Sequence, residues 1–171
     1  MRKSLPPFIL FFAVSAALVF GGITRAAEGG PEFFDDFDKA RKASQEAGKP
    51  LITIFSASWC GPCKKMKKNV YPSAEVTPYH DRFVWAYLDA DQGKNKSLMK
   101  QFQVNGIPHI SFISPGGELI GQARGAVAPA SFAKTLSETL VKAGDTAPVA
   151  PVTSAPPKKK GFFSNFFKKK E

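Results

Sequence analysis

Short apolar runs and amphipathic segments alternate through the first half of the chain. Residues 33–47 place apolar side chains near helical spacing, and Gly48 supplies a stop, which predicts an N-terminal helix. Residues 51–55 and 83–88 are short apolar runs rich in β-branched or aromatic side chains. Runs of this kind, bounded by polar residues, predict two buried strands.

Helix signals separate and follow these two strands. Gly61-Pro62 opens a second helix, because proline suits an early helical position that needs no N–H. Ser73 is a candidate N-cap for a short helix over residues 74–80. Residues 96–102 predict a further helix after a turn-prone stretch.

The last third of the chain predicts a hairpin and a closing helix. Residues 109–113 and 118–122 flank a Ser-Pro-Gly-Gly turn. Pro129 then begins a helix whose apolar positions recur every fourth residue, at Phe132, Leu136 and Leu140. The order of elements, α, β, α, β, α, β, β, α, predicts an α/β fold with one sheet between helices.

Composition excludes several protein classes. The chain has 171 residues, of which 43% are hydrophobic, enough for a packed core and too many for wholesale disorder. Its 22% charged residues and two cysteines exclude a polytopic membrane protein and a disulfide-stapled mini-protein.

The net charge of +10 is concentrated at the two ends. Residues 1–26 carry three basic residues, and residues 158–171 carry a net of five positive charges. About +2 therefore remains for residues 27–157. This distribution disfavours a basic nucleic-acid-binding domain, and we expect no nucleic-acid partner.

The N-terminal segment is typical of an export signal. Arg2 and Lys3 precede an apolar stretch of 16 residues over 8–23, and the small residues Thr24 and Ala26 follow. Residues 1–26 are therefore interpreted as a signal peptide, and the protein is expected to be exported, periplasmic or extracytoplasmic. A retained N-terminal anchor and a buried helix are the alternatives, although the apolar run is short for an anchor.

The C-terminal segment divides into a linker and a tail. Residues 144–157 are rich in proline and alanine, which predicts a semi-stiff linker. Residues 158–171 read KKKGFFSNFFKKKE, in which four phenylalanines between two groups of lysines would share one face of a helix. This pattern suits contact with the surface of an anionic membrane. The alternatives are contact with a partner protein, a solubilising tail whose lysines guard against aggregation, and a nucleic-acid-binding arm, which an exported protein would rarely use.

The candidate chemistry lies in Trp59-Cys60-Gly61-Pro62-Cys63. Two cysteines separated by two residues, between a strand and a helix, can close a small disulfide ring. At the helix N-terminus, Cys60 is favoured as a thiolate and so as the attacking group. Cys63 is then placed to resolve the mixed disulfide, and Trp59 offers an apolar face for a polypeptide.

Two explanations of the cysteine pair other than a redox-active site remain open. A zinc site needs four ligands, and only His80 and His109 are available to complete one with Cys60 and Cys63. A purely structural disulfide is the second, although a ring between near neighbours restrains little chain entropy. We expect no metal and no organic cofactor.

The motif WCGPC after a hydrophobic strand, with Gly-Ile-Pro at residues 106–108, resembles the thioredoxin family over residues 31–143. The resemblance implies the thioredoxin fold, a central mixed sheet flanked by helices, here with an extra N-terminal helix. It implies Cys60 as nucleophile, Cys63 as resolving thiol and a cis peptide bond before Pro108, where an ordinary trans turn is the alternative. The implied substrate-binding residues are Trp59, Gly61, Pro62, Ile107 and Pro108.

Two departures from the pattern of cytosolic thioredoxins indicate a particular branch of the family. Cytosolic thioredoxins carry a buried Asp where this chain has Ile54, and its usual Lys partner corresponds to Tyr87. The phrase EAGKPLITIFSASWCGPCKKMKK and the predicted export resemble the periplasmic thioredoxin-like proteins, including the C-terminal domain of the membrane thiol-reductant transporter. That branch implies a reductase of protein disulfides, recharged by an upstream thiol donor or reductase. A non-catalytic binding module and a membrane-tethered adaptor are the alternatives.

A cluster of lysines follows the second cysteine, at positions 64, 65, 67 and 68. At helical spacing these lysines cover more than one face, which favours a solvated helix surface. The functional alternative is that they lower the pKa of the Cys60 thiol or favour acidic partners.

Overall fold

The first helix begins later than the periodicity predicts. The computed structural model describes residues 29–147, in which helix α1 spans Phe37–Ala47. Asp36 caps it by accepting hydrogen bonds from the N–H groups of Asp38 and Lys39, and Gly48 ends it with a φ of 64°. The predicted signal peptide (1–26), the tail (158–171) and all but the first four residues of the linker (144–157) lie outside the described residues.

The start of the predicted N-terminal helix is wrong, because Phe33–Phe34 form strand β1 instead. β1 pairs in parallel with the strand over residues 84–89, and the Phe33 ring lies edge-on to Tyr71, Trp85 and Tyr87. A two-residue strand has no periodicity of its own. Its conformation comes from the sheet edge and from the aromatic side chains it meets.

Five strands form one mixed sheet, in which β1 is joined by the four longer strands β2 (Leu51–Ser56), β3 (Val84–Asp89), β4 (His109–Ile113) and β5 (Leu119–Arg124). Their order is β1-β3-β2-β4-β5. The pairs β1·β3 and β2·β3 are parallel, whereas β2·β4 and β4·β5 are antiparallel. The predicted strands and hairpin are therefore confirmed to within two residues at each end.

The helices flank this sheet. The predicted second helix consists of α2 (Gly61–Lys65) and a π-helical continuation over Met66–Val70. Two further helices follow, α3 (Lys96–Gln101) and α4 (Pro129–Lys142). No helix within residues 29–147 has the length and apolar character needed to span a lipid bilayer.

The prediction of a short α-helix over residues 74–80 capped by Ser73 is wrong. A 3-10 helix occupies Thr77–Arg82. Ser73 contributes its backbone carbonyl, which accepts from the N–H and the side-chain hydroxyl of Thr77, each at 2.9 Å. The Ser73 hydroxyl is buried and has no hydrogen-bond partner among the described residues, so tertiary packing has displaced the cap.

The core has two layers, one on each face of the sheet. On one face the α2 continuation and α4 pack on the sheet around Trp85 and Phe132. On the other face α1 and the end of α3 pack around Phe37, Phe55 and Phe102. This arrangement confirms the predicted sheet between helices, and it holds the carboxyl ends of β2 and β3 beside the start of α2.

Candidate active site

The two cysteines form a disulfide at the start of α2. Their Cα atoms lie 5.3 Å apart, and the side chains of Cys60 and Cys63 are only 4% and 1% exposed. Cys60 is the N-cap residue, and its sulfur accepts a hydrogen bond from the Cys63 N–H at 3.2 Å. Cys63 lies one turn further inside the helix.

This geometry gives the two sulfurs different chemistry after reduction. The backbone N–H directed at the Cys60 Sγ stabilises negative charge there, as does the helix dipole. Cys63 has its sulfur within the first turn, next to the Cys60 sulfur that a mixed disulfide would carry. The arrangement therefore suits attack by Cys60 and resolution by Cys63.

The loop before β4 closes the site from the opposite side. The Ile107–Pro108 peptide bond is cis, which confirms the expectation drawn from the family resemblance. Ile107 packs against the cluster formed by Ala57, Cys60 and Cys63. The structure thus brings the predicted loop to the disulfide, while its role in holding a substrate chain stays a prediction.

Trp59 forms an exposed rim beside the disulfide. Its side chain is 67% exposed, and its indole Nε1–H donates to Asp91 Oδ2 at 2.8 Å. Gly61 and Pro62 are exposed next to it. The sequence pattern did not predict a role for Asp91, because nothing in the polar turn after β3 distinguishes it from its neighbours.

A pair of hydroxyl groups lies near the two positions where cytosolic thioredoxins carry the buried Asp and its Lys partner. Ile54 is fully buried and lies opposite Tyr87 in the register of β2 and β3. The Tyr87 hydroxyl is hydrogen-bonded to the hydroxyl of Ser56 at 2.5 Å. Ser56 was also missed, since a serine at the end of a strand carries no signal of its own.

The lysines of the active-site helix are all exposed, and none forms an ion pair with another residue in the range 29–147. Lys67 is distinct, because its Nζ lies 4.6 Å from the centre of the Tyr87 ring and 5.9 Å from that of Phe33. Such cation–π contacts hold the ammonium group at this position beside the hydroxyl pair.

The residues of the zinc alternative do not come together. Across residues 29–147 there is no group of three or more His, Cys, Asp or Glu side chains that could hold a metal ion. His80 instead shares a 2.7 Å hydrogen bond with the carbonyl of Tyr71. His109 is fully buried on β4, and neither of its ring nitrogens has a hydrogen-bond partner among the described residues.

The burial of His109 predicts a pH-dependent stability. Burial and, to a lesser extent, the nearby Arg124 hold the pKa of His109 below its usual value. The unfolded chain then binds a proton near pH 6.5 that the folded domain does not bind. The free energy of unfolding should therefore fall as the pH drops below about 6.5, by up to about 1.4 kcal/mol per pH unit.

Denaturant unfolding between pH 7.5 and pH 5 measures this effect. A His109→Asn variant has no titratable group at this position and should lose that part of the slope, whatever its absolute stability. An identical slope in the variant and the parent protein would show that His109 does not carry the effect.

Comparisons with known proteins agree with this geometry. A family model described as a thioredoxin-like domain matches residues 37–140. The protein disulfide-isomerase of Datisca glomerata is 30% identical over 120 residues, which are 69% of this chain and 24% of that protein. The chain thus spans about a quarter of the length of that relative.

Solved structures share the fold. A thioredoxin from Thermus thermophilus superposes with a TM-score of 0.62 and 26% identity, over 67% of this chain and 91% of that one. The C-terminal domain of DsbD from Neisseria meningitidis, in its oxidised form, superposes with a TM-score of 0.55 and 24% identity, over 63% of this chain and 99% of that one. With a buried Cys-Gly-Pro-Cys disulfide, a cis proline beside it and a family model matching residues 37–140, the chain belongs to the thioredoxin-like domain family.

Proposed function

We propose that this protein is an exported thiol–disulfide oxidoreductase that reduces disulfide bonds in other proteins. The observation that carries the proposal is the Cys60–Cys63 disulfide at the start of α2, between the cis Ile107–Pro108 loop and the exposed Trp59. This arrangement combines a reactive sulfur with surfaces suited to a polypeptide. The resemblance to thioredoxins and to a protein disulfide-isomerase supports the same class of reaction.

The reaction transfers two electrons from the dithiol to the substrate. The Cys60 thiolate attacks one sulfur of a substrate disulfide, forming a mixed disulfide and releasing the other substrate sulfur as a thiolate. The Cys63 thiolate then attacks the Cys60 sulfur, which frees the second substrate thiolate and re-forms the Cys60–Cys63 disulfide. Protons from solvent neutralise the released thiolates. An upstream thiol donor or reductase must return two electrons before the next cycle.

The direction of this cycle depends on the reduction potential of the Cys60–Cys63 pair. Because Gly61-Pro62 resembles the reducing members of the family, we expect a potential close to the roughly −270 mV of thioredoxin. Equilibration of the full chain against dithiothreitol redox buffers measures it, and insulin reduction measures the activity. A potential near the roughly −120 mV typical of a strong oxidant would overturn the reductase direction.

The export part of the proposal is supported by residues 1–26, whose basic start, apolar run and small residues are typical of a cleaved signal. The expected mature protein begins at Ala27 and lies in the extracytoplasmic fraction. N-terminal sequencing of the protein from its native cells tests this, and an intact Met1 in the cytoplasm would contradict it.

We further propose that residues 158–171 contact an anionic membrane surface, on the strength of their phenylalanines and flanking lysines. Anionic liposomes should bind the expected mature chain, residues 27–171, and not a chain of residues 27–157. Equal binding of both chains would remove the tail from this role, while the insulin-reducing activity of the truncated chain reports separately on the redox domain.

A further inference from the structure

A cavity opens beside the disulfide, at the carboxyl ends of β2 and β3. Its volume is about 320 Å³. Ser56 at the end of β2 and residues 57–58 of the following loop form one wall, and Tyr87 and Asp89 of β3 form another. Lys64 and Lys67, from α2 and its π-helical continuation, line the side nearest the active-site helix.

The cavity lies within reach of a polypeptide bound at Cys60. Ala57 lines the cavity and also packs against both cysteines. Ser58, in the same wall, is two residues before Cys60, so their Cα atoms are at most about 7.6 Å apart. An extended substrate chain advances about 3.3 Å per residue. A substrate side chain two or three residues from the attacked cysteine can therefore enter the cavity.

The lining of the cavity carries two lysines and one carboxylate, that of Asp89, so its net formal charge is +1. The hydroxyls of Ser56 and Tyr87 bond each other, and Asp89 accepts a hydrogen bond from the Asp91 N–H at 2.9 Å. Lys64 and Lys67 form no ion pair within residues 29–147. The Tyr87 ring holds the Lys67 ammonium at the cavity wall.

We propose that this cavity is a specificity site that binds the carboxylate of an Asp or Glu side chain in the substrate protein, two or three residues from its attacked cysteine. Lys64 and Lys67 supply the charge, since charge-assisted hydrogen bonds to carboxylates are among the strong ones. Lys65 and Lys68 belong to the same helix and do not line the cavity. The inference rests on the proposed function, because it concerns which disulfides the Cys60 thiolate attacks.

Pairs of disulfide-bonded peptides test this selectivity with the full chain. The two peptides of a pair are identical except at one position, which holds Asp in one and Asn in the other. The pairs differ in where this position lies, two or three residues before or after the reactive cysteine. For the best-placed pair we expect kcat/KM for the Asp peptide to exceed that for the Asn peptide at least about fivefold, the range of a modest charge interaction.

Matched lysine variants separate the cavity from general charge. Lys64→Gln with Lys67→Gln should lower the Asp-to-Asn ratio to about one. Lys65→Gln with Lys68→Gln removes the same charge from the same helix and should keep the ratio. An effect on the Cys60 thiolate would change the rates for both peptides by one factor, so it would leave the ratio unaltered.

Each remaining outcome has a distinct meaning. A ratio near one in the parent protein, or an equal loss in both double variants, would overturn the carboxylate site while leaving the proposed function intact. Failure to reduce any of the peptides would count against the proposed function itself. A last comparison uses two small disulfides, the dicarboxylate 3,3′-dithiodipropionate and the neutral 2-hydroxyethyl disulfide. If the Lys64, Lys67 double variant reduces only the dicarboxylate more slowly and keeps the peptide ratio, the site binds the carboxylate of a small molecule. The inference about substrate proteins would then be wrong.

Discussion

Replacing Cys63 with serine should convert the protein into a trap for its substrates. Cys60 keeps its place at the N-cap of α2 and can still attack a disulfide, but no second thiol remains to resolve the product. Substrate proteins should then accumulate as mixed disulfides on Cys60. Non-reducing electrophoresis of the Cys63→Ser protein, purified from its native cells, should show adducts that dithiothreitol releases, and mass spectrometry then identifies them.

The Cys60→Ser variant is the matched control for this experiment. It lacks the attacking thiolate, so it should form no such adducts, and insulin reduction should fall by on the order of a thousandfold or more, as when other enzymes lose their nucleophile. Abundant adducts on Cys63 in this variant would contradict the assigned roles. Full biological activity in a chain lacking both cysteines would instead support the non-catalytic binding module.

Truncating Phe132 to alanine should cause a large loss of stability in the domain. The side chain is fully buried on α4, and its ring lies within 6.5 Å of the rings of Tyr71, Trp85 and Phe112, measured between centres. Removing a buried phenylalanine side chain costs about 3–5 kcal/mol in lost transfer energy and residual cavity. Because a domain is stable by only about 5–15 kcal/mol, this is a large share of the total.

Denaturant unfolding of the oxidised protein measures the effect as a lower transition midpoint. Val141→Ala is the matched control, since Val141 lies on the same helix and is 61% exposed. It should change the free energy of unfolding by no more than about 0.5 kcal/mol. A similar loss in both variants would contradict the role of the aromatic core, because alanine has a higher helix propensity than either residue it replaces.

The accuracy of the fold predictions varied with the length and regularity of each element. The strand over His109–Ile113 and the start of α4 at Pro129 agree with the predictions, because apolar periodicity and turn residues are local signals. Strand β1 and the 3-10 helix over Thr77–Arg82 were mispredicted. Both are short, so packing against Trp85 and its neighbours outweighed local preference.

In the active site too, the residues with a local sequence signal were predicted and those that depend on distant partners were not. Cys60 and Cys63 were identified because their spacing and the following proline are properties of one short segment. Ser56 and Asp91 were not, since each acquires its role from a hydrogen bond to a residue more than 30 positions away. A single serine or aspartate near a turn carries no local signal of such a partner.

The cysteine pair and its disulfide are specified by one short segment of the chain. A disulfide between residues three apart at a helix start needs only local backbone geometry, and the Cys-Gly-Pro-Cys segment specifies it. The residues around the disulfide, by contrast, are brought there by tertiary contacts. Strand order and register bring Ile107 against the two cysteines. They also place the Tyr87 ring under the ammonium group of Lys67, one of the four lysines of the active-site helix. These contacts depend on how distant strands pair, because pairing joins residues that share no local pattern along the chain.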